Sequence, residues 1–376
     1  MTTVPPDVEA RLDRLRGRAL PVNHNARTIS ALAANPGCPR RAVLDAAGAS
    51  KQKIAAHAGF PAPFGMSPFA HSRGNAFEAR VKEDSAAPLL TLLREHIGLA
   101  IGSAHYHDLN QVGRDERNEV RHLRTRQLLA GADPATHTMF DHPLLRLKVG
   151  GRHAYLEPDL IALHHGGLFY VVEVKSFAII DGQADPAKVA AAAIQSAVYV
   201  HALRDLLQDE DKVHHETILV APRDFSSQPA AARLDIRKQL GVLRRQLARI
   251  ESIDRLLDLL PPDLTFDLDP DEKDSPRRPP AELRAALATV DANYSPECLA
   301  TCELCFHCRD EAKGTTGALG KSVREDLGGI EYVAQALRLA RGEQPPGEQA
   351  PPELAEAAAA LVRAARLRRG ILGEPR

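Results

Sequence analysis

The 376-residue chain is longer than one ordinary domain, and at roughly 150 residues per unit it suggests about two to three units. Hydrophobic residues make up 44% and charged residues 26%, which excludes a wholly disordered or fibrous chain. With 48 Lys and Arg against 49 Asp and Glu the net charge is -1, so a phosphate-binding surface has to be local.

In chain order, residues 7–60 read as helical, with a break at Asn35-Pro36-Gly37 that delivers Cys38 to a loop or a helix start. Pro and Gly punctuate the segment from Pro61 to about Gly74. Residues 74–100 read as mostly helical, with Pro88 as the expected break. A polar helix around 114–130 carries Arg114, Arg117, Arg121, Arg124 and Arg126.

The pattern then changes to strands at 144–150, 153–163 and 168–175, the last rich in β-branched and aromatic residues as a buried central strand should be. His164-His165-Gly166-Gly167 is the tight connection before it. Asp185-Pro186 reads as an N-cap with proline at the first helical position, opening an Ala-rich helix to about Leu207, and 217–221 is a short apolar strand. Strand, helix, strand is a crossover unit, which implies a parallel pair in a mixed α/β sheet. Beyond 226 the chain reads as helical, with arginines at 233–255, an acidic proline-rich loop at 261–280, and the cysteines Cys298, Cys302, Cys305 and Cys308. Residues 343–353 are a linker by composition, and the remaining Ala/Leu/Arg stretch is an appended helix.

The first twenty residues are charged throughout and have no apolar core, and no stretch reaches the roughly 18 apolar residues of a membrane span. The expected compartment is the reducing cytoplasm, with no membrane partner. There, clustered cysteines read as metal-binding or catalytic before they read as disulfides.

Asp159 and Glu173-Val174-Lys175 put two acids and an amine on neighbouring strands, and Glu173 and Lys175 share a face because side chains alternate. Carboxylates brought together repel unless a divalent cation sits between them, and Mg²⁺ or Mn²⁺ suits that place. Taken alone, an Asp…Glu-x-Lys match reads first as a surface salt bridge on a strand end. It does not stand alone. Arg73-Gly74-Asn75-Ala76-Phe77-Glu78 precedes it on a helix, and Gln195 and Tyr199 follow it four apart on another.

PD-(x13)-EVK with G-x-x-F-E before it and Q-x-x-x-Y after it resembles the RecB-like branch of the PD-(D/E)XK nucleases. The resemblance implies an α/β, restriction-endonuclease-like mixed sheet flanked by helices and a Mg²⁺- or Mn²⁺-dependent deoxyribonuclease. It implies Glu78, Asp159, Glu173 and the Val174 carbonyl as metal ligands, Lys175 as the catalytic lysine, and Gln195 and Tyr199 as the bracing helix pair. The implied partner is DNA, single-stranded or a duplex end, in a repair or defence complex. Arg124, Arg237, Arg244 and Arg245 are the candidate phosphate contacts.

Cys302-x2-Cys305-x2-Cys308 matches three positions of a ferredoxin-type run, and a [4Fe–4S] cluster needs a fourth cysteine. Cys38 upstream of the nuclease motifs, with three cysteines downstream, resembles the iron-sulfur branch of that family, the AddB and CRISPR-associated types, and Cys298 is the alternative ligand. Compact Zn²⁺ binding, with His307, is the rival. Cys298-x3-Cys302-x2-Cys305 also mimics radical-SAM spacing, but only 71 residues follow Cys305, too few for a barrel of roughly 250.

The expected organisation is an N-terminal helical segment (1–60), a nuclease core (61–225), a helical region ending in the cysteines (226–312), a segment resembling helix-hairpin-helix units (313–342), and a linker with a terminal helix (343–376). A second expectation of another class is a non-catalytic DNA-binding or scaffold subunit that keeps fold and cluster.

Overall fold

The apolar run at 168–174 becomes the middle of a six-stranded mixed sheet. The computed structural model describes residues 6–35, 37–62, 68–111, 116–149, 152–156, 160–224, 226, 228–251, 253–273, 275–343, 346–347 and 350–373. The chain divides into two units, one of Met1–Pro36, Ala42–Ala49 and Phe64–Asp263, the other of Gly37–Arg41, Ser50–Pro63 and Leu264–Arg376.

The strands are β1 (His105–Asp108), β2 (Thr138–Asp141), β3 (Leu145–Val149), β4 (Arg152–Leu156), β5 (Leu160–His165), β6 (Leu168–Val174), β7 (Ile179–Ile180), β8 (Gln183–Ala184), β9 (Glu216–Pro222) and β10 (Pro229–Asp235). The main sheet runs β1-β2-β5-β6-β9-β10, with β3-β4 and β7-β8 as two small hairpins. β5 and β6 pair antiparallel around Gly166 and Gly167, whose φ values of +60° and +79° are those a two-residue primed turn requires. β6 and β9 pair parallel, so the crossover expected from the sequence is present.

The first unit also contains α1 (Pro6–Arg16), α2 (Ala26–Ala34), most of α3 (Pro39–Ala47), and, after α4 (Lys51–His57) of the second unit, α5 (Pro68–Val81), α6 (Glu83–Glu95), α7 (Asn118–Ala130), α8 (Pro186–Leu207), α9 (Arg237–Glu251) and α10 (Ile253–Leu257). Helices α5 and α6 close one sheet face: Phe77, Val81, Leu89 and Leu93 join Ile161, Val172, Val174 and Val220 in one core. Each such large side chain contributes about 1.5–3 kcal/mol on burial. Helix α8 packs on β6 and β9, with α2 and α9 against it in turn. That burial on several sides is why its sequence is apolar nearly all round. It opens as expected, with the Asp185 carboxylate accepting from Ala187 N at 2.9 Å and Pro186 in the first turn.

Four local expectations are corrected. Residues 229–235, read as helical, form the edge strand β10, paired along its length with β9. Pro88 does not break a helix: the break lies at Asp84, Ser85 and Ala86, with φ of 48°, 57° and 64°, and Pro88 follows in the first turn of the restarted helix, where no N–H is needed. The single strand expected at 153–163 is two strands in different sheets, β4 and β5. β1 and β2 are additional, pairing parallel with each other at the sheet edge.

The second unit holds α4, α11 (Pro280–Ala288), α12 (Cys298–Thr301), α13 (Cys305–Glu311), α14 (Lys321–Asp326), α15 (Val333–Arg341) and α16 (Pro352–Leu372). Ile330, Ala336, Leu339 and Ala358 form a small core there with Leu327, Leu354 and Leu361. Gly328, between α14 and α15, has φ +61°, and a Cβ on it would stand 2.6 Å from the Glu353 carbonyl oxygen, so only glycine fits. Among the described residues no helix is long and apolar enough to cross a membrane.

Candidate functional site

Two residues at the end of β6 and two on α8 form one continuous polar chain. Glu173 is 2% exposed, and its Oε1 lies 2.5 Å from Lys175 Nζ. Lys175 Nζ donates to Gln195 Oε1 at 2.8 Å, and Gln195 Nε2 donates to the Tyr199 hydroxyl at 2.7 Å. Strand alternation produces this: Val172 and Val174 point into the α5–α6 core, so Glu173 and Lys175 point the other way, where α8 lies. The i,i+4 spacing of Gln195 and Tyr199 then stacks them on one helix face. The backbone N–H of Lys175 donates to Val220 O at 2.8 Å, which ties the lysine to the parallel neighbour and limits its travel. Val174 sits between Glu173 and Lys175 with its side chain in the core.

Glu78 joins a different group. It lies on α5 one turn after Gly74, where an added Cβ would stand 3.6 Å from Ser176 Cβ, so α5 passes close to the segment just after Lys175. Its carboxylate pairs with Lys82 Nζ at 2.5 Å and lies 3.6 Å from His142 Nε2. Lys82 Nζ also meets Asp141 Oδ1 at 2.6 Å, His142 Nδ1 lies 3.2 Å from the same oxygen, and the Tyr106 hydroxyl donates to Asp141 Oδ2 at 2.5 Å. Burial alone would push the Asp141 carboxyl up. Hydrogen bonds from His142, Lys82 and Tyr106, with the lysine's charge, instead hold it below the usual carboxylate range. The bond to Asp141 raises His142 above an ordinary histidine, and burial raises Tyr106. Asp108, Asp141 and His142 have ligand atoms within 4.8 Å of one another, a donor set of the kind that holds a metal ion.

Of the six residues expected to act together, Glu173, Lys175, Gln195 and Tyr199 are joined directly, Glu78 is joined to Lys82, Asp141 and His142, and Asp159 lies outside the described residues. Lys82 was not singled out in the sequence, and its i,i+4 spacing from Glu78 was the signal that could have found it. Asp141 and His142 had no signal, since they are the last residue of, and the first residue after, a four-residue strand that the sequence pattern does not mark.

The cysteines gather in the second unit. Cys298, Cys302, Cys305 and Cys308 are buried on or between α12 and α13, Cys38 is half-buried just before α3, and none is in a disulfide. Burial pushes the Cys308 thiol up to about 12, with Arg40 opposing and the charges of Cys302 and Cys38 adding to the rise, so Cys38 belongs to the same electrostatic neighbourhood. Burial also raises Cys305, with Cys298 contributing. Burial away from water is what makes these thiols resist ionisation. His307, between Cys305 and Cys308, is buried and packs against Phe60 with ring centroids 5.2 Å apart.

The candidate phosphate contacts lie on helix surfaces in the first unit. Arg124 pairs with Glu116 at 2.7 Å, Arg237 with Asp235 at 2.5 Å and Arg244 with Glu210 at 2.6 Å, while Arg245 is exposed on the outer side of α9. Surface pairs of this kind are worth about 0–1 kcal/mol.

No protein-family model matches the chain, and no curated protein matches it. The chemistry therefore rests on the groups themselves: a buried carboxylate with an anchored lysine, a charged network around Asp141, and a buried thiol group.

Proposed function

We propose that the protein is a divalent-metal-dependent DNA nuclease of the RecB-like PD-(D/E)XK kind, with a structural iron-sulfur cluster on its cysteines. The observation that carries this reading is the chain from Glu173 through Lys175 and Gln195 to Tyr199, in which four residues implied by the motif resemblance are linked in sequence by an ion pair and two hydrogen bonds. A salt bridge on a strand end has no need of the second helix.

Glu173 supplies a buried anionic oxygen at the strand end, and with Asp159, Glu78 and the Val174 carbonyl it would hold Mg²⁺ or Mn²⁺. When bound, such an ion supplies Lewis acidity and lowers the pKa of a coordinated water. Lys175 has two of its three N–H groups directed to Glu173 and Gln195 and offers the third to the attacking water or to a phosphate oxygen, where positive charge lowers the energy of the transition state. Gln195 fixes the lysine, and Tyr199 fixes Gln195, so the ammonium group needs no reorganisation during the reaction. The thiol-only donor set favours iron-sulfur or zinc over magnesium, and the ferredoxin-like spacing favours the cluster.

The test is digestion of single- and double-stranded DNA by the full-length protein with Mg²⁺, Mn²⁺ or excess chelator. Metal-dependent cleavage is expected, abolished in Lys175→Ala while the variant remains folded with unchanged visible absorbance. DNA binding without cleavage under every metal would establish the scaffold alternative. Equal activity of Lys175→Ala would remove the lysine from the mechanism.

A further inference from the structure

We propose that Arg40 is a positioning residue for the sulfur centre: it holds Cys308 by charge and raises the electron affinity of the cluster assembled there. The proposal rests on the iron-sulfur reading above.

Arg40 follows Cys38 by two residues, in the first turn of α3, and is 3% exposed. Its Nε donates to the Val290 carbonyl oxygen at 2.9 Å, its Nη1 to Cys308 Sγ at 3.4 Å and to Glu311 Oε2, and its Nη2 to Glu311 Oε1 at 3.3 Å. Its own backbone N–H donates to Asp291 O at 3.0 Å. Every acceptor belongs to the segment that carries the downstream cysteines, so one side chain fastens the neighbourhood of Cys38 to that of Cys308. A lysine has no planar fork and cannot serve Val290, Glu311 and Cys308 together.

Glu311 already balances the guanidinium charge, so the direction of Nη1 at sulfur calls for a further explanation. A buried cation aimed at a thiol acquires its full value when that thiol is a thiolate, which is the form a metal binds. Hydrogen bonds and charge at ligand sulfurs set the potential of iron-sulfur centres, and a cation beside one ligand favours the more negative, reduced state. A cleft of about 410 Å³ borders Arg40, Cys308 and Glu311, and brings this edge of the centre within reach of small oxidants and chelators.

The test compares anaerobically purified full-length wild type with Arg40→Gln, Arg40→Lys and Glu311→Gln. The readouts are iron and sulfide content, the midpoint potential from a dye-mediated titration, and the rate of iron loss to a chelator. Arg40→Gln is expected to keep its visible spectrum, move the midpoint to a more negative value and lose iron several-fold faster, with Arg40→Lys between it and wild type. Glu311→Gln leaves the guanidinium charge unbalanced and is expected to move the midpoint the opposite way, a sign that general loosening of the fold does not produce and that stands even if Arg40→Gln fails to fold. Iron-loaded variants with the wild-type midpoint and release rate would overturn the role of Arg40 alone. An iron-free wild type would overturn the cluster reading, and the Arg40 role with it.

Discussion

Lys175 and Lys82 are both lysines against carboxylates, yet their surroundings assign them different work. Lys175 is a quarter exposed and hydrogen-bonded to a neutral amide, which on the proposed reading keeps a direction open to substrate. Lys82 is 9% exposed and spans two carboxylates, Glu78 and Asp141, which makes it structural charge compensation. Replacing Asp141 breaks one buried charged pair and leaves Lys82 with Glu78 alone, at a cost of up to about 3–5 kcal/mol. Asp141→Asn is therefore expected to lower unfolding free energy in urea, and the double variant Asp141→Asn with Lys82→Met should lose clearly less than the sum of the two single variants. Additive losses in that cycle would show that the two side chains are not coupled.

At the scale of elements, the sequence was most legible where one physical signal dominated. The run at 168–174 is too apolar and β-branched for a surface strand, and the Gly-Gly pair dictates the turn before it, so β6, its turn and the α8 cap follow from local rules. β10 was not legible, because Pro-Ala-Ala-Ala-Arg-Leu-Asp has helical composition and becomes a strand only through hydrogen bonds to β9, which no local pattern encodes. β1 and β2, at four residues each, are too short to show a period. The site divided along the same line: Glu173, Lys175, Gln195 and Tyr199 lie on the two legible elements, whereas Asp141 and His142 depend on β2. Gly328 offers a prediction at this scale. Gly328→Ala should destabilise the α14–α16 region by about 1–3 kcal/mol, since the Glu353 backbone has to move. Hydrogen exchange in α15 and α16 should accelerate while DNA cleavage persists, and protection equal to wild type would show that the close approach is not there in solution.

At the scale of the whole molecule, the balance of 48 bases against 49 acids conceals opposed local fields: carboxylates at the end of the sheet and arginines along α7 and α9. The 16 histidines are the part of that balance pH can shift. Burial holds His122, His164 and His201 below the ordinary histidine range. A base whose folded pKa is depressed leaves stability intact above its unfolded pKa, near 6.5, and loses it as pH falls below that value towards the folded pKa. These three histidines are thus expected to lower the melting temperature as pH falls below about 6.5, against the opposite contribution of the raised His142, and His164→Phe should reduce that fall; an unchanged slope in the variant would exclude His164 as a contributor.

The reading of the whole protein stands or falls on the carboxylate at the end of β6. The decisive measurement is the rate of DNA cleavage by Glu173→Gln beside wild type in Mn²⁺, with thermal melts showing that both are folded. A fall of about a hundredfold or more, equivalent to about 2.7 kcal/mol of transition-state stabilisation, is predicted for a carboxylate that holds the metal. Cleavage by Glu173→Gln at the wild-type rate would contradict the account.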